Sequence, residues 1–397
     1  MATTALLSVE RALELIRETA PRIGSSVQPI DHRLAGRVLA ADVAAVVDQP
    51  PFATSSMDGY AVRAAELGGA PVPIAFRVAA GDRPGVLPAG SAAGIATGAP
   101  LPEGADAVVP IEDAEERDGL VATRPRKGAW IRPAAGDVAA GEAVAHAGAV
   151  LTPALLAAIA AAGAGTVEVC DRPRITVLAT GSELVAPGNP LEPGQIYESN
   201  ATAIAAQAVR AGAEVVGAGT VADDRPATEA AFAAALAAAD VVVSSGGVSV
   251  GPHDHVKPAL DALGVREVFW RVAHKPGKPL WFGVADDGTL VFGLPGNPVS
   301  SLVCFELFVR AALESMLGAE PRQRPRARLA APVRRLPGRD HAIRCRLSTG
   351  ASGMELHAQD AQDSHLIVHA AAADAIALIA AGQGETAAGE LVEYLPL

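Results

Sequence analysis

Four carboxylates stand just beyond apolar runs of the chain: Glu183 in ATGSEL, Asp223 and Asp224 in TVADDRP, and Asp254 after SSGGVSVG. Acids delivered this way can offer oxygen ligands to a hard cation such as Mg2+, which commonly bridges to substrate phosphates. One of them, Glu183 or Asp254, could position or deprotonate a water. Near them, SSGGVSVG (244–251) places Gly246 and Gly247 between Ser245 and Ser249. Adjacent glycines let a backbone approach a ligand and turn its N–H groups toward phosphate oxygens. HKPGKP (274–279) sets Lys275 and Lys278 on either side of a Pro-Gly turn. Two ammonium groups held close repel unless they are solvated or an anion lies between them. GLPGNPVSS (293–301) offers Pro295, Asn297 as a capping residue, Pro298 at a first helical turn, and the hydroxyls of Ser300 and Ser301. A helix start of this kind is an anion site. Each run alone has a plainer reading as a turn, a cap or a solvated loop; their convergence gives them weight. His253 and His255 flank Asp254, but an alternating triplet turns its histidines away from the acid, so it is not read as a transition-metal site. His365 and His369 lack the Glu of a zinc-protease motif.

The elements that must position these residues are legible from periodicity. ITVLATG, AEVVGAGTV and DVVVSSGG read as buried strands. SNATAIAAQAVRAG, with Ser199 or Asn200 as cap, and PATEAAFAAALAAA read as the helices between them. The run REVFWRVAHK and a hairpin, PLWFGV-ADDG-TLVFGL, precede a long helix from Asn297. Strands alternating with helices predict a parallel sheet covered on both faces, with ligands at the carboxyl ends of its strands. Ser8 and Thr152 are set to cap helices over Val9–Ile16 and from Pro153. The second of these is expected to pack beside the first.

The expected division is therefore 1–45 with 141–171 as a discontinuous N-terminal domain, 46–140 as a β-rich domain, 172–320 as the α/β domain and 321–397 as a small C-terminal β domain. The fold class is multidomain α/β: an elongated N-terminal α+β and β region, a central parallel α/β sandwich and a small β-barrel-like tail. A length of 397 residues fits more than one core. A net charge of −12 speaks against a general nucleic-acid binder or an anionic membrane surface. The 3 cysteines, Cys170, Cys304 and Cys345, are far apart and read as reduced thiols. The charged N-terminus does not read as a signal peptide, and no run reads as a membrane span, so a cytoplasmic location is expected.

In order along the chain, MDGYAV (57–62), ATGAP (96–100), TGSEL (180–184), SSGGVSVG, KPGKP (275–279) and GLPGNPVS (293–300) make it resemble the molybdopterin molybdenumtransferase (MoeA) family nearly end to end. The resemblance implies a transferase that inserts molybdate, as substrate, into adenylylated molybdopterin, with Mg2+ assisting and AMP leaving as molybdenum cofactor forms. It also implies a homodimer whose cleft joins the α/β domain of one subunit to the β-rich domain of the other. Asp58, Thr97, Arg132 and Asp137 would come from the partner subunit. Glu183, Asp223 or Asp224, and Asp254 would orient the metal, with Asp58, Asp137, Glu183 and Asp254 as the catalytic set. Lys275, Lys278, Pro295, Pro298 and Ser300 would line the pterin and molybdate end, and Arg344 and Ser364 would supply further anion contacts. Contacts with the adenylyltransferase of the preceding step and with cofactor-receiving enzymes are compatible with this role. Two alternatives were weighed. An adenylyltransferase shares the α/β domain but lacks the MDGYA domain and the tail. A non-catalytic assembly scaffold has no need of four such acids together.

Overall fold

A computed structural model of the chain describes residues 6–247, 255–351 and 353–397. The chain forms two units, one of Met1–Ser26 with Cys170–Leu397, the other of Val27–Val169.

The first unit opens with α1 (Val9–Thr19), where Ser8 accepts from the Arg11 amide at 3.2 Å, the cap its sequence predicts. Its core is a sheet of β1 (Arg174–Thr180), β2 (Glu214–Val221), β3 (Val241–Ser245), β4 (Arg266–Trp270), β5 (Trp281–Val284) and β6 (Leu290–Leu294). In space the strands run β2-β1-β3-β6-β5-β4. β2, β1, β3 and β6 are mutually parallel, whereas the hairpin makes β5 antiparallel to both neighbours. The parallel strands read as unbroken apolar runs because both faces are covered. Alternation sorts them: Ile175, Val177, Val241, Val243, Leu290 and Phe292 face one layer, and Leu178, Val242 and Val291 the other. The first layer holds α2 (Asn200–Arg210); the second holds α3 (Arg225–Ala238) and α4 (Val256–Ala262). Against the first layer also lies a long helix made of α5 (Pro298–Cys304), a π turn (Phe305–Val309) and α6 (Arg310–Leu317).

The run REVFWRVAHK is not one strand. Arg271 adopts a left-handed φ of 73° that ends β4, and His274–Lys275 then pairs with the tail. The tail consists of β7 (Arg326–Leu329), β8 (Asp340–Gly350), β9 (Gly353–Ala358), β10 (Ala375–Ile379) and β11 (Leu391–Pro396). Pairing runs β8-β9-β7-β11-β10, and β10 also pairs with β8, closing a five-stranded barrel around Ile343, Cys345, Leu356, Ala377 and Val392.

In the second unit one sheet orders Ala107–Pro110, Gly59–Val62, Ala92–Ile95, Val72–Val78, Leu120–Ala122 and Glu115–Arg117. Thr152 caps Pro153–Ala161 through the Leu155 amide at 3.1 Å. That helix buries Ile159 with Leu34, Leu39, Val43 and Leu151. The apolar face of α1 (Val9, Ala12, Leu13, Ile16) instead joins the core of the α/β unit. The expected pairing of the two helices is therefore corrected: an amphipathic stripe says that one face is buried, not against what. No helix of the described residues is long and apolar enough to cross a membrane.

Candidate active site

Because β1, β2, β3 and β6 are parallel, their carboxyl ends share one edge of the sheet. Thr180 stands opposite Val221, and Ala179 opposite Ser245, itself opposite Leu294. The loops Gly181–Glu183, Ala222–Asp224, Gly246–Gly247 and Pro295–Asn297 therefore emerge together.

The first two loops are tied reciprocally. The Ser182 amide donates to Asp223 Oδ2 at 3.1 Å, and the Asp223 amide donates to Ser182 Oγ at 3.2 Å. Asp224 caps α3, accepting from the Ala227 amide at 3.0 Å. Glu183 is exposed, and its carboxylate folds over Gly181, where a Cβ would lie 2.6 Å from Oε2. Among the described residues no three His, Cys, Asp or Glu side chains are grouped to hold a metal ion. Of the described members of the expected Mg2+ set, Asp223 and Asp224 each accept from a backbone amide, and Glu183 lies over Gly181. Asp254 and Ser249 lie outside the described residues.

Gly246 and Gly247 have φ of 91° and 66°. A Cβ on Gly246 would lie 2.8 Å from the Thr180 carbonyl oxygen, and one on Gly247 would overlap Val256 Cγ2. Both conformation and space require glycine here. Beneath them Ser245, 2 % exposed, turns its hydroxyl inward to the Pro295 carbonyl at 3.3 Å and to Ser301 Oγ at 3.1 Å. The structure thus places Ser245 as a support for the loops, with its hydroxyl turned away from solvent. Asn297 is exposed and its side chain makes no cap bond to α5, contrary to the capping role expected of it. The helix start is also less open than expected: Pro298 has no N–H, and the Val299 amide donates to the Ser364 carbonyl at 3.1 Å. Ser300 is buried at 4 % exposure.

Lys275 and Lys278 are both exposed on their turn, and neither forms an ion pair among the described residues. The turn is packed from below: a Cβ on Gly277 (φ 114°) would overlap Cys304 Sγ. Arg344 is 1 % exposed and binds the carbonyls of Ala361 and Asp363, while its amide donates to Gln362 Oε1 at 3.1 Å. It therefore shapes the loop that carries Ser364, and its guanidinium is not presented as a direct anion contact. Burial also lowers its pKa from the ordinary arginine value.

His274, at the root of the lysine turn, is 1 % exposed, and neither ring nitrogen has a hydrogen-bond partner. Burial pushes its pKa down to about 4. The unfolded chain binds this proton near pH 6.5 and the folded chain only near 4. Its contribution to stability is thus complete above pH 6.5 and is lost as pH falls through 4. Stability should fall by up to about 1.4 kcal/mol per pH unit across that window. His341, likewise held at about 4 by burial, contributes with the same sign. Urea titrations of wild type and His274→Phe between pH 7.5 and 4.5 check this. The variant should match wild type at pH 7.5, since a ring without unpaired nitrogens replaces one with two, and should show a shallower slope on acidification.

In the second unit Asp58, Thr97, Arg132 and Asp137 are all exposed and all carried by segments bonded to residues 49–58. Asp58 Oδ1 accepts from the Thr97 amide at 2.7 Å, and this bond holds its carboxyl below the usual range. Arg132 pairs with Thr54, and the Asp137 amide donates to the Gln49 carbonyl at 2.9 Å. The Gly98 amide donates to the Ser55 carbonyl at 2.8 Å. The four residues therefore gather at one region of this unit.

A molybdopterin molybdenumtransferase 2 of Mycobacterium tuberculosis is 43% identical over 305 residues, spanning 73% of this chain and 75% of the relative. The chain belongs to the molybdopterin molybdenumtransferase family. A molybdopterin molybdenumtransferase of Haemophilus influenzae is 38% identical, covering 73% of each chain. A molybdopterin biosynthesis MoeA protein from Pyrococcus horikosii superposes with a TM-score of 0.80 at 32% identity, covering 98% of this chain and 99% of that one. Family models match residues 7–163 (MoeA N-terminal region, domain I and II), 176–315 (probable molybdopterin binding domain) and 326–397 (MoeA C-terminal region, domain IV). In this molybdenumtransferase-family chain the four strand ends and the lysine turn fall inside the second of these, and the Asp58 group inside the first. Two residues of the strand-end cluster escaped the sequence reading. Along the chain Asn200 reads only as a candidate helix cap, and Ser301 only as a further hydroxyl. Their cross-loop partners lie 45 to 96 residues away or on a loop's own carbonyl, beyond the reach of spacing.

Proposed function

We propose that this chain is a molybdopterin molybdenumtransferase that inserts molybdate into adenylylated molybdopterin and releases AMP. The observation that carries this reading is the shared strand edge, where a glycine pair and an exposed Asn297 without a cap bond emerge together, with two exposed lysines on the turn that packs on α5. Cleaving a phosphoanhydride needs neutralisation of charge on the leaving phosphate, which Lys275 and Lys278 can supply. Molybdate is an oxyanion and suits the same amines, with Ser300 and the loop carrying Ser364 forming the floor. Arg344 acts by holding that loop. An assisting Mg2+ would take oxygen ligands from Glu183 and the neighbouring acids together with substrate oxygens. We further propose a homodimer in which Asp58, Thr97, Arg132 and Asp137 of one subunit complete the site of the other, in the cytoplasm.

The experiment is molybdate-dependent AMP release from adenylylated molybdopterin. Asp58→Ala and Glu183→Ala should each lower the rate about 100-fold, with little change in melting temperature because both side chains are exposed. If the site is shared, co-refolding the two inactive variants should restore about a quarter of wild-type activity, through hybrid dimers with one intact site. Full activity of either variant would overturn the assignment of that residue, and failure to complement would overturn the shared site.

A further inference from the structure

Asn200 is the first residue of α2, one past the N-cap position held by Ser199. Here the cap is made by Glu198, 7 % exposed, whose Oε1 accepts from the Ala201 amide at 2.6 Å. Ser199 makes no side-chain cap bond. The Asn200 side chain, not needed for capping, reaches across the sheet edge. Its Nδ2 donates to Ser245 Oγ at 2.8 Å and to the Gly296 carbonyl at 2.7 Å. Both amide hydrogens are used, one on the last residue of β3 and one on the loop that follows β6.

We infer that Asn200 is a positioning residue for the ligand-binding edge, setting the spacing between the Gly246-Gly247 loop and the Pro295–Asn297 loop; this rests on the reading of that edge proposed above. The hydrogen-bond polarity is determined by the partners. The Gly296 carbonyl can only accept, so the amide nitrogen and not the oxygen must face it. Ser245 accepts from Asn200 and so directs its own single proton onward, to the Pro295 carbonyl at 3.3 Å or Ser301 Oγ at 3.1 Å. Ser301 donates back to Pro295. One carboxamide thus orients two buried hydroxyls and two carbonyls of the lip. The loops touch where this network joins them: a Cβ on Gly296 would lie 3.6 Å from the Gly246 Cα. Neither loop has side-chain bulk there; the Gly246 amide donates to the Leu294 carbonyl at 3.1 Å at the root, and the Asn200 amide ties the loops further out.

The test exploits the polarity. Asn200→Ala removes both donors, and Asn200→Asp replaces them with an anion that repels the Gly296 carbonyl and draws the Ser245 proton away from Pro295. The KM for adenylylated molybdopterin should rise about 10-fold in the first and about 100-fold in the second. The KM for molybdate should stay within about twofold, because the lysine turn and the loop of Ser364 do not contact this amide. Ser301→Ala reads the same relay from its far end and should raise only the pterin KM, by less than Asn200→Ala. Unchanged pterin KM in the Asn200 variants, an Asp variant no worse than Ala, or equal rises in both KM values would overturn the inference. Titration with molybdopterin alone, followed by its fluorescence, separates this claim from the proposed reaction. If wild type releases no AMP but binds the pterin, and the variants weaken binding in the order Ser301→Ala, Asn200→Ala, Asn200→Asp, the positioning role stands and the reaction does not.

Discussion

Gly59→Ala is expected to destabilise the Val27–Val169 unit by about 3 kcal/mol or more. Gly59 begins a strand that is paired on both sides, to Ile95 and to Pro110. A Cβ there would overlap the Val109 carbonyl oxygen and lie 2.9 Å from its carbon and 3.0 Å from the Pro110 Cα. These are backbone atoms of a neighbouring strand, so no rotamer change relieves the overlap. The backbone of Gly59 is not left-handed, and the requirement is purely one of space. The strand Ala107–Pro110 must therefore shift, and the Asp58 carbonyl, which accepts from the Ile111 amide at 3.0 Å, moves with it. Activity should fall along with stability, because the Asp58 carboxylate is carried on the same turn. Gly68 is the control: a Cβ there meets nothing within 4 Å and its φ is ordinary, so Gly68→Ala should be neutral or slightly stabilising. Urea unfolding followed by circular dichroism should show an earlier transition for Gly59→Ala. A midpoint equal to that of wild type would mean that the strands are not paired as described.

This glycine shows where the sequence stops being legible. MDGYAV is recognisable as a motif, and its aspartate has an evident chemistry. The reason for its glycine lies in a strand some 50 residues away and could not be seen along the chain. The central sheet was readable because ITVLAT and DVVVSS are long apolar runs, as strands buried on both faces must be. The barrel was readable only as short alternating strands; its closure depends on β10 pairing with β8, a register that local pattern does not encode. Among the acids, Asp224 precedes Arg-Pro at a helix start, which is a capping signal. The metal reading overlooked that signal, and the carboxylate does cap α3. Arg344 was legible as a cation but not as a buried one, since burial is decided by the loop 359–364 folding over it. In each case residue type disclosed the chemistry, and partners distant in sequence decided whether that chemistry faces a ligand or the protein itself.

Glu306 extends the same point to energetics, and Glu306→Ala should lower the stability of the α/β unit by about 3 kcal/mol. Its side chain is wholly buried on the π turn, with all of Phe305–Val309 buried around it. It accepts from Arg210 at 2.7 Å, Gln207 at 3.0 Å and Arg310 at 3.3 Å, and Arg322 stands 3.8 Å away. Removing the carboxylate leaves three guanidinium groups facing one another with Glu314, 3.3 Å from Arg310, as the carboxylate that remains beside them. Arg322 already has a lowered pKa, first through burial and then through the Arg310 charge, so it has little means of absorbing the loss. Arg210 is half-exposed and can turn to water, which places the cost toward the lower end of the range for a broken buried pair. Glu306→Gln keeps volume and a hydrogen-bonding group and should cost less than Ala. Screening is weak at a buried site, so the loss should change little between 0.05 and about 0.5 M salt. A loss below about 1 kcal/mol would show the arginines to be sufficiently hydrated without it. The effect should also reach the ligand edge. Arg210 and Gln207 lie on α2, whose first residue is Asn200, while Glu306 lies on the helix that begins at Pro298. The carboxylate thus clamps the far end of α2 to the middle of the helix that begins at Pro298, and since the near ends of both carry the lip, its removal should raise the pterin KM even where the protein remains folded.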